Sequence, residues 1–127
     1  MRPLHSEGAP SPVGPYSQAI EHAGVIYLSG QIPLDPATQR LVEGDIEVQT
    51  ERVLENLRCV LSAGGAGFEH LLRVGVYLTD LGAFPRFNAV YERVLAGARP
   101  ARSTVQVAAL PLGVQIEIDA IAMLPTD

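Results

Sequence analysis

Between Gly24 and Gly30 the chain runs Val25-Ile26-Tyr27-Leu28-Ser29, a short apolar stretch with a glycine on each side, which predicts a buried strand. The turn residues that follow, through Pro33, Asp35-Pro36 and Thr38, break the pattern and predict a loop ending at Gly44. From Asp45, a residue suited to cap a helix, the apolar positions Ile46, Val53, Leu54, Leu57, Val60 and Leu61 recur at helical spacing, with Glu47, Glu51, Glu55 and Arg58 between them. Gly64-Gly65 supplies the stop. The period then becomes two: Leu72, Val74, Val76 and Leu78 alternate with Arg73, Gly75, Tyr77 and Thr79, as in a strand. After Asp80 the helical period returns, with Phe84, Phe87, Val90, Tyr91, Val94 and Leu95 on one face and Gly97 at the end. Two strands close the chain, Arg102 to Val107 and Val114 to Met123, joined by Ala108-Ala109-Leu110-Pro111-Leu112-Gly113.

The order strand, helix, strand, helix, strand, strand predicts an α+β fold: a single sheet with both helices packed on one face. The other face then lacks a cover. In the last strand Val114, Ile116, Ile118, Ala120 and Ala122 point one way, and Gln115, Glu117, Asp119, Ile121 and Met123 the other. Tyr77, Ile121 and Met123 fall on the uncovered side, so that face is expected to be buried against other copies of the chain.

Ahead of the first strand, Pro3, Pro10, Pro12 and Pro15 prevent a regular helix, and residues 1–14 read as an extended arm. No second segment of that kind interrupts the chain, and 127 residues are the size of one domain. Met1 to Gly14 lacks the apolar core of a secretory leader, and no stretch approaches a membrane span. The lone Cys59 cannot form an internal disulfide, so the expectation is a cytoplasmic protein without a disulfide framework. All nine basic residues are arginines, which excludes lysine Schiff-base chemistry and a phosphate-loop lysine. The net charge of -5 argues against a protein that neutralises a run of nucleic-acid phosphates.

Candidate chemistry is sparse. His5, His22 and His70 are scattered, with no pair at ligand spacing, and no metal or cofactor site is expected. Cys59 sits beside Val60 and Leu61, where a small thiol packs. The informative feature is Arg102, opening one C-terminal strand, with Glu117 inside the next. The six-residue connection between these antiparallel strands is expected to bring Arg102 near Glu117 or Asp119. Two readings follow: a cross-strand salt bridge, or a guanidinium forked onto an anionic ligand while Glu117 handles water or a proton. Spacing does not choose between them. Gly14-Pro15-Tyr16-Ser17-Gln18-Ala19 and Ser29-Gly30-Gln31 fit either a site or ordinary structure, as a rigid turn before an aromatic and a strand end open to close approach.

Those two segments, the second extended to Ile32-Pro33, with Phe87-Asn88-Ala89-Val90-Tyr91, Pro100-Ala101-Arg102-Ser103-Thr104-Val105 and Ile116-Glu117-Ile118-Asp119-Ala120-Ile121-Ala122, closely resemble the RidA/YjgF reactive intermediate deaminase family. The resemblance runs from about Gly8 to Leu124, in register. It implies a chorismate-mutase-like fold and a homotrimer with a central barrel-like sheet interface and sites in the clefts between subunits. It implies hydrolysis of 2-imino acids (2-iminobutanoate, 2-iminopropanoate) and their enamine tautomers such as 2-aminoacrylate to 2-keto acids and ammonia, without a cofactor. By the same resemblance Arg102 holds the substrate carboxylate, Glu117 positions or activates water, Tyr16 lies over the ligand, and Ser29, Gly30 and Asn88 line the pocket. Thr104, also a pocket position, stands where many relatives have cysteine, so a thiol-dependent step does not carry over to this chain.

Three other readings compete. A regulatory trimer could bind 2-keto acids or related metabolites in the same clefts without turnover. Ribonuclease or translation-inhibitor activity, attached to some relatives, sits poorly with an acidic chain that lacks lysine and any basic, aromatic-studded segment. Chorismate mutase shares the implied fold but not these motifs.

Overall fold

The computed structural model describes residues 1–125. Eight strands and two α-helices occur in the order β1 (Arg2–Leu4), β2 (Ala19–His22), β3 (Val25–Gln31), β4 (Leu34–Asp35), β5 (Arg40–Leu41), α1 (Ile46–Ala63), β6 (Leu71–Leu78), α2 (Phe84–Leu95), β7 (Ala101–Gln106) and β8 (Ile116–Met123). Six strands form one mixed sheet in the order β1-β2-β3-β8-β6-β7, while β4 and β5 make a small separate hairpin. Only β6 and β7 run parallel.

The hydrophobic pattern explains the two layers. Ile26, Leu28, Val74, Val76, Ile116 and Ile118 line one face of the sheet, and α1 and α2 cover it with Val53, Leu57, Val60, Leu61, Phe87 and Leu95. Asp45 caps α1, its carboxylate accepting from Val48 N at 3.0 Å. On the opposite face Tyr27 and Met123 are exposed, with Tyr77 and Ile121 half-buried beside them. The expected α+β arrangement of one sheet with both helices on one side is therefore present.

The C-terminal strands differ from the hairpin expected. β8 lies between β3 and β6, whereas β7 is the outer strand on the far side of β6. The reason is α2: a helix joining β6 to β7 is a crossover, which returns the chain parallel to its starting strand. The connection to β8 then straddles the end of β6, where Val107 N donates to Leu78 O and Thr79 N to Gln115 O. Leu112 and Gly113 turn this connection with positive φ values of 58° and 70°.

Buried amides tie the loops down. Asn56 on α1 donates to the carbonyls of Ile32 and Leu34, and Gln49 donates to Val42 O while accepting from Gln115 N. Gln18, 2 % exposed, donates to the carbonyls of Ser6, Ala9 and Pro10 and accepts from Ser6 N. That single side chain fastens the proline-rich arm, whose first residues pair with β2 as an edge strand.

Candidate functional site

Arg102 lies on β7 in register with Val74 of β6, so its side chain leaves the sheet on the helix-covered face. There α2 offers Phe84, Phe87 and Tyr91, a stripe with helical spacing. The guanidinium carbon sits 5.5, 5.5 and 4.7 Å from the centres of those rings. Its Nη1 donates to Asn88 Oδ1 at 2.9 Å. The rings attract the cation through their π faces and the amide sets its rotation, yet an arginine carries five N–H donors and Asn88 takes one. Among the described residues no carboxylate pairs with it. Arg102, Asn88 and Tyr91 line one side of an open cleft of about 700 Å³ that continues along Ala96, Ala98 and Pro100. Burial pushes the Tyr91 phenol up, against the lowering influence of the nearby Arg102 guanidinium, and among the described residues its buried hydroxyl meets no partner in good hydrogen-bond geometry.

Glu117 is elsewhere. It pairs with Tyr77 across β8 and β6 and projects from the open face. Arg102 is therefore neither a cross-strand neighbour of Glu117 or Asp119 nor on their side of the sheet, so the expected proximity is absent and the salt-bridge reading falls with it. Glu117 instead packs on Gly30. The pairing of β3 with β8 slips between Leu28 and Gln31, leaving Ser29-Gly30 as an irregularity. A Cβ at Gly30 would collide with the Glu117 carboxylate, so this glycine is needed for close approach rather than for a turn. Burial pushes the Glu117 carboxyl above the usual glutamate range, reinforced by the charge of Asp119.

Ser29 donates from its hydroxyl to Ser17 O at 2.6 Å, tying the segment that carries Tyr16 to the end of β3. Tyr16 is half-exposed, its ring folded against Gly14. Gly30, Ser29 and Glu117 thus form one group, to which the Tyr16 turn is tied through Ser17, and Arg102 and Asn88 form a second. Thr104 follows Arg102 on the helix-covered face, in register with Val76, and its hydroxyl is buried without a partner. The aromatic cradle of Arg102 escaped the sequence reading, although three rings at helical spacing around Asn88 were a usable signal. The pairing of Tyr77 with Asp119 also escaped it; a glycine inside the strand at Gly75 was its trace.

No group of three or more metal-ligating side chains gathers among the described residues. His5 pairs with Glu7, and His70 accepts from Gly67 N. Burial pushes the Cys59 thiol up, as suits a packed rather than a reactive cysteine. No described helix is long and apolar enough to cross a membrane.

Residues 6–124 match the family model described as Endoribonuclease L-PSP. Among curated proteins, Protein DfrA of Myxococcus xanthus is 57% identical over 94% of this chain and 93% of its own length. The chloroplastic Reactive Intermediate Deaminase A of Arabidopsis thaliana is 44% identical over 95% of this chain and 65% of its own length. Among solved structures, that of E. coli TdcF with bound serine superimposes with a TM-score of 0.92 at 34% identity, covering 97% of this chain and 98% of the other. With the fold, the glycine-backed glutamate and the cradled arginine in place, these matches make the chain a member of the RidA/YjgF family of reactive intermediate deaminase homologues.

Proposed function

We propose that the protein hydrolyses 2-imino acids such as 2-iminobutanoate and 2-iminopropanoate, with their enamine tautomers, to 2-keto acids and ammonia. The observation that carries this reading is the state of Arg102: a charged fork, oriented by three rings and an amide, without an acidic partner among the described residues, at the edge of an open cleft. Such a group suits bidentate capture of a carboxylate. The serine bound in the E. coli relative is itself an α-carboxylate.

The chemistry asks little of the protein. A protonated imine is already electrophilic at carbon. Water adds to that carbon, Glu117 takes the proton the water loses, and the resulting carbinolamine receives a proton on nitrogen. The C–N bond then breaks, ammonia leaves, and the hydroxyl oxygen becomes the keto oxygen as its proton is released. A carboxylate with raised proton affinity suits both the taking and the returning of that proton, help worth about 10² to 10⁴ in rate. Ser29 already donates to Ser17 O, so in this scheme it accepts from water rather than donating to the substrate. Tyr16 closes over the ligand, and Gly30 leaves the room in which the Glu117 carboxylate sits.

Because Arg102 and Glu117 leave opposite faces of one sheet, the reading requires the clamp of one copy to meet the base of another. A homotrimer with its open faces turned inward supplies such junctions and covers Tyr27, Ile121 and Met123. The small 2-imino and 2-keto acids are then the protein's partners, and RNA is disfavoured by its net charge of -5.

Release of 2-ketobutyrate in an assay coupled to threonine dehydratase tests the reading. The native protein accelerates it, and Arg102→Ala, still assembled, does not. Full activity in that variant contradicts the carboxylate clamp. Binding of 2-ketobutyrate by calorimetry with no acceleration favours the non-catalytic regulatory trimer.

A further inference from the structure

On the open face of the sheet, Asp119 sits between Gly75 of β6 and the Ser29-Gly30 irregularity of β3. Tyr77 faces Glu117 in the pairing, but its hydroxyl reaches diagonally to Asp119 and donates to Oδ2 at 3.0 Å. Gly75 makes this possible. A Cβ there would collide with Asp119 Oδ1 and lie 3.1 Å from the Tyr77 hydroxyl. The pair is therefore built into the strand, with a missing side chain on β6 matched to a carboxylate on β8 and a phenol laid across the gap. Asp119 and Glu117 are two residues apart on one strand face, about 7 Å along the backbone.

We propose that Asp119, pinned by Tyr77 in the space Gly75 leaves, is a positioning residue that holds a second negative charge beside Glu117 and keeps that carboxylate an effective base. The inference rests on the hydrolytic role proposed for Glu117. Arg73, on the same face, keeps its positive charge and acts on the Tyr77 phenol against Asp119, but the groups that shift Glu117 itself are burial and Asp119. Arg73 of β6 donates to Ser103 of β7 at 3.0 Å, and Tyr27 of β3 is half-exposed. Tyr77 is committed as a donor: the hydrogen bond to Asp119 pushes its phenol up, with burial adding to the effect. Burial is the larger influence disfavouring ionisation of Glu117, and the like charge of Asp119 adds to it.

The test uses the assembled protein labelled with ¹³C at the glutamate side-chain carboxyl, with the Glu117 resonance identified by its loss in Glu117→Gln. The titration of that resonance is followed in the native protein, Asp119→Asn and Tyr77→Phe, alongside the pH profile of imine hydrolysis. Asp119→Asn is expected to move the Glu117 titration and the acid limb of kcat/KM to lower pH. It should also lower kcat about threefold and leave KM unchanged, since a weaker base is less effective while the clamp is intact. Tyr77→Phe, which frees the carboxylate without removing it, moves both in the same direction by less, and carries the test if Asp119→Asn does not fold. A Glu117 titration that stays in place in the folded variants overturns the proposal. Because the resonance is read without turnover, a protein that hydrolyses no imine but shows the shift keeps the pairing while refuting the hydrolytic role.

Discussion

Arg102 and Glu117 leave the sheet in opposite directions: Arg102 runs level with Val74 toward the helices, and Glu117 faces Tyr77 on the open side. On the proposed reading, one copy of the chain thus holds two half-sites. The first presents a cation cradled by Phe84, Phe87 and Tyr91; the second presents a carboxylate seated on Gly30.

In the first half-site, Asn88 accepts a hydrogen bond from the guanidinium at 2.9 Å. Asn88→Ala leaves the ring contacts but frees the fork to rotate. KM for the imino acid is expected to rise about tenfold with a smaller change in kcat, the size of a lost hydrogen bond to a charged group. Steady-state kinetics check this, and an unchanged KM removes Asn88 from the clamp.

Glu117 carries a stability cost at neutral pH. Burial raises its proton affinity in the native protein, so the native state binds more protons than the unfolded chain from the ordinary value of 4.5 up to the raised one. Stability therefore falls as pH rises through that window. Glu117→Gln is expected to have a higher Tm than the native protein at pH ~7 and a smaller difference at pH ~4, while losing activity. Thermal unfolding of both proteins across that range checks the sign, and a variant less stable at neutral pH contradicts it.

Thr104 carries a buried hydroxyl without a hydrogen-bond partner, on the helix-covered face of β7. Thr104→Val removes that polar atom at nearly constant shape and is expected to stabilise by about 1 kcal/mol. Imine hydrolysis should persist. A large loss of activity with unchanged stability places the hydroxyl in the working site instead.

Gln18 fastens the arm through Ser6, Ala9 and Pro10. Gln18→Ala strands several buried polar groups and is expected to cost about 3 kcal/mol. Limited proteolysis checks the location: cleavage ahead of Gly14 rises sharply while the helices stay protected. Uniform cleavage along the chain contradicts a local role.

Much of this fold was legible in the chain. The period of α1 and its Asp45 cap, the alternation of β6 and β8, and the two helices sharing one face all follow from where apolar side chains recur. Pairing was harder, because alternation shows which face a residue takes but not which strand lies beside it. The short linker after β7 suggested a hairpin, while the crossover through α2 placed β7 outside β6 and left room for β8 on the other side. β1 and β2 are too short to show a period. Arg102, Glu117, Ser29 and Gly30 stand out by residue type and position and Asn88 by resemblance alone, and the structure separates them into two groups. Gly75, by contrast, looked like a weak point in a strand; its purpose appears only with Tyr77 and Asp119 beside it.

The division of the site between copies is tested most directly by mixing inactive variants. Arg102→Ala lacks the clamp and Glu117→Gln lacks the base, so neither alone accelerates imine hydrolysis. Co-expressed in equal amounts and assembled at random, they place an intact Arg102 against an intact Glu117 at about a quarter of the junctions. Activity is expected to return to about a quarter of the native level in the mixture, and to stay absent when the two substitutions share one chain. A mixture as inactive as its components contradicts a site shared between copies.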